Sequence, residues 1–200
     1  MRSLVVLATL VFTTAASSAP VPKDVGQPVL YFSVREGDQS VFEVTGSSGT
    51  YDLTETVTKV VAKDGCMWVT VERRATKTTT VVYQVSAKGV SRVATNDQEL
   101  AEPHALLKVP TKAGDTWTAK ADTPTGPSTV YTAGKEEKVD VPAGKFMAIP
   151  IEGKITAQNG NGRIAIRTSW YAPNVGIVKM VYKVGDGVET RTLKSFKPGK

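Results

Sequence analysis

Apolar and polar residues alternate with a period of two over most of the chain, and Gly, Pro, Asn and Asp gather between the alternating runs. That pattern predicts strands with one covered face, joined by tight reversals. It is densest from Val130 to Val184. There, Val141-Pro142-Ala143-Gly144 puts a proline at the first corner of a turn and a glycine at its exit. Past the turn, Met147, Ile149, Ile151 and Ile155 share one parity, with Phe146, Ala148 and Glu152 on the other. Pro150 has no N–H for a ladder, which predicts an edge strand or a bulge at that point. Asn159-Gly160-Asn161-Gly162 predicts a hairpin. The next strand carries Ile164, Ile166 and Trp170 on one side and Arg163, Arg167 and Tyr171 on the other. After the turn Ala172-Pro173-Asn174-Val175-Gly176, Val178, Met180, Tyr182 and Val184 share a face, while Lys179 and Lys183 make the opposite one wet.

The same grammar extends on both sides. Val29 to Arg35 and Ser40 to Thr45 flank Glu36-Gly37-Asp38 as a predicted hairpin. Tyr51 to Ala62, Cys66 to Ala75, Thr78 to Ser86 and Val90 to Thr95 read as strands separated by Lys63-Asp64-Gly65, a short polar break and Ala87-Lys88-Gly89. Asn96 to Lys112 breaks the rhythm, and Gln98 to Leu107 reads as a short helical turn limited by Pro103. A strand from Gly114-Asp115-Thr116-Trp117 to about Ala121 precedes a Pro-Gly loop over Asp122 to Ser128. Gly185-Asp186-Gly187 turns into a last strand, Val188 to Phe196. The expectation is an all-β chain: a single curved antiparallel sheet or half-barrel meander of about ten strands with little helix.

At 200 residues with 40% hydrophobic and 22% charged content, the composition is globular and large enough for one cored domain. The organisation read from it is residues 1–19 as a signal peptide, 20–28 as a flexible proline-rich leader and 29–197 as one β domain. Met1-Arg2-Ser3 precedes an apolar run of about nine residues, Leu4 to Phe12, and then small residues, which fits an export signal. The run is short of the roughly 20 residues that span a bilayer. Cleavage after Ala16, Ser17, Ser18 or Ala19 is open. The expected localisation is exported, periplasmic or extracellular, and soluble.

The net charge of +6 favours acidic partners, but Lys and Arg are scattered, with no recognition helix or stacking motif, so nucleic acid is not an expected partner. One cysteine, Cys66, rules out an internal disulfide and reads as a small apolar residue on a strand. One histidine, His104, leaves no metal-ligand cluster and no serine-histidine pairing of recognisable motif, and reads as exposed or capping. No catalytic residue, cofactor or metal is expected. The aromatics remain: Trp68, Trp117, Trp170 and Tyr182 are a possible ligand face, or they simply fill the core.

Several of these stretches together resemble a known group. Tyr131, Gly134-Lys135-Glu136-Glu137 and Val139 through Phe146, then Trp170 through Lys179 and Leu193-Lys194-Ser195-Phe196, resemble TapB-type and related exported bacterial β-rich proteins. Lys108-Val109-Pro110 and Gly114 through Trp117 extend the resemblance, which covers Val29 to Phe196. It implies an architecture similar to the half-barrels of periplasmic lipoprotein carriers, whose concave face shelters acyl chains. It brings no catalytic residue, and this chain lacks the lipidation cysteine found in many relatives. The function expected is a non-enzymatic exported binding module for an apolar or lipid-like ligand of the cell envelope. The alternative is a structural or interaction protein of the envelope with no small ligand.

Overall fold

Two-residue reversals build the architecture. In a computed structural model describing residues 29–120, 128–156 and 164–199, Lys63 pairs with Cys66 around Asp64-Gly65, and Thr95 pairs with Gln98 around Asn96-Asp97. All four loop residues have positive φ, between 46° and 72°. That geometry matches the right-handed twist of the flanking strands and so favours two-residue hairpins. Gly46↔Gly49, Ser86↔Gly89, Val141↔Gly144 and Val184↔Gly187 also close over two residues, but in the first three the positive φ falls on the closing glycine, Gly49, Gly89 or Gly144, rather than in the loop.

The strands are β1 Gln39–Gly46, β2 Gly49–Lys63, β3 Cys66–Arg74, β4 Thr78–Ser86, β5 Gly89–Thr95, β6 Gln98–Lys108, β7 Thr116–Ala119, β8 Ser128–Ala133, β9 Glu137–Val141, β10 Gly144–Thr156, β11 Ile164–Ala172, β12 Gly176–Val184 and β13 Gly187–Lys197. They form one antiparallel sheet in the order β6-β5-β4-β3-β2-β1-β13-β12-β11-β10-β8-β7, with β9 beside β10. The long-range closure is β1 on β13, which pairs the first described strand with the last. The all-β antiparallel expectation is met, with thirteen strands among the described residues rather than about ten, and the curl goes further than a half-barrel. The outermost strands β6 and β7 face each other, and the sheet is nearly closed.

Side chains make that last join. The Trp117 indole N–H donates to the Ala105 carbonyl at 3.0 Å, and His104 Nδ1 lies 3.2 Å from the Lys120 carbonyl. β6 is the main correction to the sequence reading, which expected a helical turn over Gln98 to Leu107. Its pairing with β5 jumps from Arg92↔His104 to Ala94↔Glu99, so Pro103 sits in an irregular stretch of an edge strand, where its missing N–H costs no ladder bond. Pro150 is resolved similarly. β10 is interior, but one of its edges passes from β9, whose pairing stops at Ala148 of β10, to β8, whose pairing starts at Ile151 of β10. The Pro150 carbonyl accepts the Gly134 N–H at 2.8 Å in that gap.

The second correction is Val29 to Arg35, which is no strand. It crosses the barrel and packs Phe32 into the interior, 4.7 Å from the Tyr83 ring. The Gly37 N–H donates to Val57, and the Asp38 carboxylate accepts both the Arg35 and Gly199 N–H groups. The main core comprises Val69, Val71, Val81, Val85, Val90, Leu107, Trp117, Tyr131, Ile149, Ile151 and Tyr171 among others. A second cluster ties the β9–β10 hairpin, through Val139 and Ala148, to Phe42, Val44, Val178 and Leu193. The expected signal peptide, the leader, the Pro-Gly loop and the Asn-Gly hairpin lie outside the described residues.

Candidate functional site

Directly paired residues on neighbouring strands share a face of a sheet, so the register shows what surrounds the core. One row runs Trp117, Tyr131, Gly153, Arg167, Tyr182, Glu189 across β7, β8, β10, β11, β12 and β13. A second runs Tyr83, Arg92, His104 across β4, β5 and β6. The two meet across the β6–β7 seam, where His104 Nε2 lies 2.9 Å from the Tyr131 hydroxyl. On β11 the alternation is as expected, yet the face turned inward carries Arg167 and Tyr171, while Ile164 is exposed.

The hydrogen bonds around Tyr131 form a consistent set. With Nδ1 of His104 facing a carbonyl, that nitrogen carries the proton and Nε2 accepts from the phenol. The phenol oxygen in turn accepts from Arg167 at 2.7 Å. The Tyr131 ring stacks on Trp117 at 5.5 Å with 22° between the planes. Gly153 makes the reach possible, because it separates Tyr131 from Arg167 in the row and a Cβ there would lie 2.8 Å from Tyr131 Cε1.

Next to this set, Glu55 holds two guanidinium groups. Arg73 Nε lies 2.9 Å from Glu55 Oε1, close but not aligned as a hydrogen bond, and Arg191 NH1 lies 3.4 Å from the same oxygen. Arg73 also donates to the Tyr83 hydroxyl, and Arg191 lies over the Phe42 ring. Burial works against the charge on Arg73, but Glu55 and the phenols outweigh it and its pKa is raised. Arg191 goes the other way: burial first, then repulsion from Arg73, pull it down in spite of Glu55. Both guanidinium groups stay protonated. Tyr83, Tyr131 and Tyr171 have raised pKa values, chiefly because burial disfavours the phenolate, and neighbouring arginines oppose the rise.

The four aromatics singled out by the sequence do not share one surface. Trp117 is buried in the row just described, and Tyr182 stands on it near the rim, lining a groove of about 160 Å³ with Tyr51, Val188 and Glu189. Trp68 alternates away from Val69 and lies under the Lys63 ammonium, and Trp170 packs on the second cluster with its indole N–H on Glu137 at 2.6 Å. His104 is buried rather than exposed, a correction that follows from β6 being a strand. Cys66 is half-buried and touched by the Gln84 amide. No group of residues suited to a metal ion occurs among the described residues, and no helix there is long and apolar enough to cross a membrane. The sequence signal for the polar inward face was the parity on β11, where Arg167 and Tyr171 share a side.

Two solved structures share the fold. One is named a "putative exported protein with YmcC-like fold", from Bacteroides fragilis; it has a TM-score of 0.58 at 17% identity over 84% of this chain and 99% of its own. The other is named a "putative lipoprotein", from Parabacteroides distasonis; it has a TM-score of 0.59 at 13% identity over 86% of this chain and 100% of its own. The sequence matches no protein-family model and no curated protein. The likeness supports the β-rich architecture of the earlier resemblance and its link to proteins named as exported. It does not support TapB-type membership in particular.

Proposed function

We propose that this chain is an exported, non-enzymatic binding module whose ligand reaches the arginine- and tyrosine-bearing part of the barrel interior. One observation carries the reading. In a barrel otherwise filled with its own apolar side chains, Arg73 and Arg191 keep 28% and 18% of their side-chain surface exposed while bonded into the interior network. Export rests on the Leu4 to Phe12 run and on the names of the two structural neighbours. The imidazole of His104 is engaged with Tyr131 and a backbone carbonyl, an arrangement that positions a phenol rather than activating a hydroxyl nucleophile.

Two hollows among the described residues bear on what can enter. The one bordered by Phe32, Ser40, Glu55 and Ile177 holds about 20 Å³, room for a water, and the rim groove about 160 Å³. Both are below the roughly 300–1,000 Å³ of a small-molecule pocket, so a lipid-like ligand would engage by its polar end. Native mass spectrometry of protein recovered from an exporting host is the test. A retained small-molecule mass, lost on denaturation, is expected, and a bare polypeptide mass from gently isolated protein would overturn the reading. The second reading, an envelope interaction protein without a ligand, is favoured by the same filled interior; cross-linking in the exporting host that recovers one stoichiometric partner would support it.

A further inference from the structure

We propose that the barrel end bearing the β1–β2 and β12–β13 turns docks on an anionic lipid surface; this concerns the outside of the barrel and stands apart from the interior reading above. Five of the eight exposed large apolar side chains among the described residues, Tyr51, Val130, Ile164, Val184 and Val188, lie at that end. The register joins them. On the face opposite the Tyr131, Arg167, Tyr182 row, one row runs Val130, Lys154, Ile166, Lys183, Val188 across β8, β10, β11, β12 and β13. Ile164 lies one step beyond Ile166 toward the rim, and Tyr51 and Val188 line the rim groove together. Apolar and basic side chains thus alternate from strand to strand, and no acid stands in the row.

Behind this row the composition changes. The next one back holds Thr132, Glu152, Thr168, Val181, Thr190 and Thr45, a hydroxyl-rich face. Glu152 is set back about 7 Å from Lys154, two residues along the strand. Asp186 stands in the β12–β13 turn, but neither Lys154 nor Lys183 has an ion-pair partner among the described residues. Both lysines are exposed, so the ammonium groups are free to meet an anion. Contiguous exposed apolar surface rimmed by charge marks an interaction site. Among the described residues this one carries no arginine and no tryptophan, the anchors that dominate protein interfaces. It fits a bilayer instead. Aliphatic tips and a tyrosine ring enter the headgroup boundary, while the lysine stems lie along them and keep the charge among lipid phosphates.

The test sediments the chain recovered from an exporting host with two kinds of vesicle, phosphatidylcholine alone and an equal mixture of phosphatidylcholine and phosphatidylglycerol. Binding to the anionic vesicles that weakens with salt is expected, with far less on the neutral ones. Lys154→Gln and Lys183→Gln are each expected to weaken it about fivefold, the scale of one lysine at an anionic surface. Ile164→Ser and Val188→Ser are expected to weaken it about as much, because each removes an apolar side chain that the headgroup boundary would cover. Lys88→Gln makes the same change of charge in the β4–β5 turn at the opposite end and is expected to bind as the unaltered chain does. All five positions are exposed, and thermal melting checks that each variant folds. Failure to sediment with either vesicle, equal binding to both kinds, rim variants that bind as the unaltered chain does, or equal loss in Lys88→Gln overturns the proposal. So does a dimer in analytical ultracentrifugation that Ile164→Ser or Val188→Ser abolishes, which gives the rim to a second copy of the chain. None of these outcomes depends on whether the interior retains a ligand, which native mass spectrometry reads separately.

Discussion

Gly153 occupies the one place in its row where a side chain cannot be accommodated. A methyl group there would sit 2.8 Å from Tyr131 Cε1 and 3.1 Å from Thr129 Cγ2. The ring cannot swing aside cheaply, because Trp117 stacks on one side of it and His104 and Arg167 hold its hydroxyl. Gly153→Ala is therefore expected to lower stability by about 1–3 kcal/mol, the usual scale of overpacking, read from the urea midpoint. Repeating it in a Tyr131→Leu background should shrink the penalty, since the two residues are in contact. An unchanged midpoint in the single variant would show that the row is looser than its distances imply. Tyr131→Phe tests the other end of the same arrangement. It removes the hydroxyl that both His104 and Arg167 bond and is expected to cost about 1–3 kcal/mol.

At the level of elements, β6 and β7 differ from every other neighbouring pair among the described residues, because side chains rather than a ladder hold them together. The Lys120–Glu102 pair across the seam is exposed and contributes little. Trp117→Phe removes the donor to Ala105 while keeping an aromatic ring against Tyr131. Hydrogen exchange in β6 and β7 is expected to quicken in that variant, with β2, β3 and β4 still protected. Uniform protection across the barrel would mean the seam is not its weak line. The sequence made much of this architecture legible where turn chemistry and period agreed. Thr78–Ser86 is read residue for residue, and Lys63-Asp64-Gly65 turns where expected. β6 was hidden because Pro103 and a run without alternation mimic a helix start, although Asn96-Asp97, both tolerant of positive φ, marked the hairpin leading into it. Val29 to Arg35 alternates like a strand but is drawn across the interior by Phe32, a tertiary effect no local pattern encodes. The two arginines on Glu55 were equally out of reach. Arg73 and Arg191 belong to no motif; Arg73 reaches Glu55 as its direct partner on β3, and Arg191 reaches it from β13, with β1 between.

Over the whole molecule, the buried phenols set the response to alkali. In the unfolded chain a tyrosine loses its proton near pH 10. In the fold, Tyr83, Tyr131 and Tyr171 hold theirs to higher pH, because burial penalises the phenolate more than the nearby arginines favour it. Below about pH 10 both states are protonated and these groups contribute no pH dependence. Above it the native state binds more protons than the unfolded one, so stability falls as pH rises until the folded values are reached. The urea midpoint is thus expected to drop above about pH 10, with the phenolate absorbance of these tyrosines appearing together with unfolding rather than before it. Tyr171→Phe removes one such group from the interior and should make the decline shallower. Phenolate from all the tyrosines appearing at ordinary pH in a chain that keeps its sheet circular dichroism would sink the argument, because it would place the three hydroxyls in water.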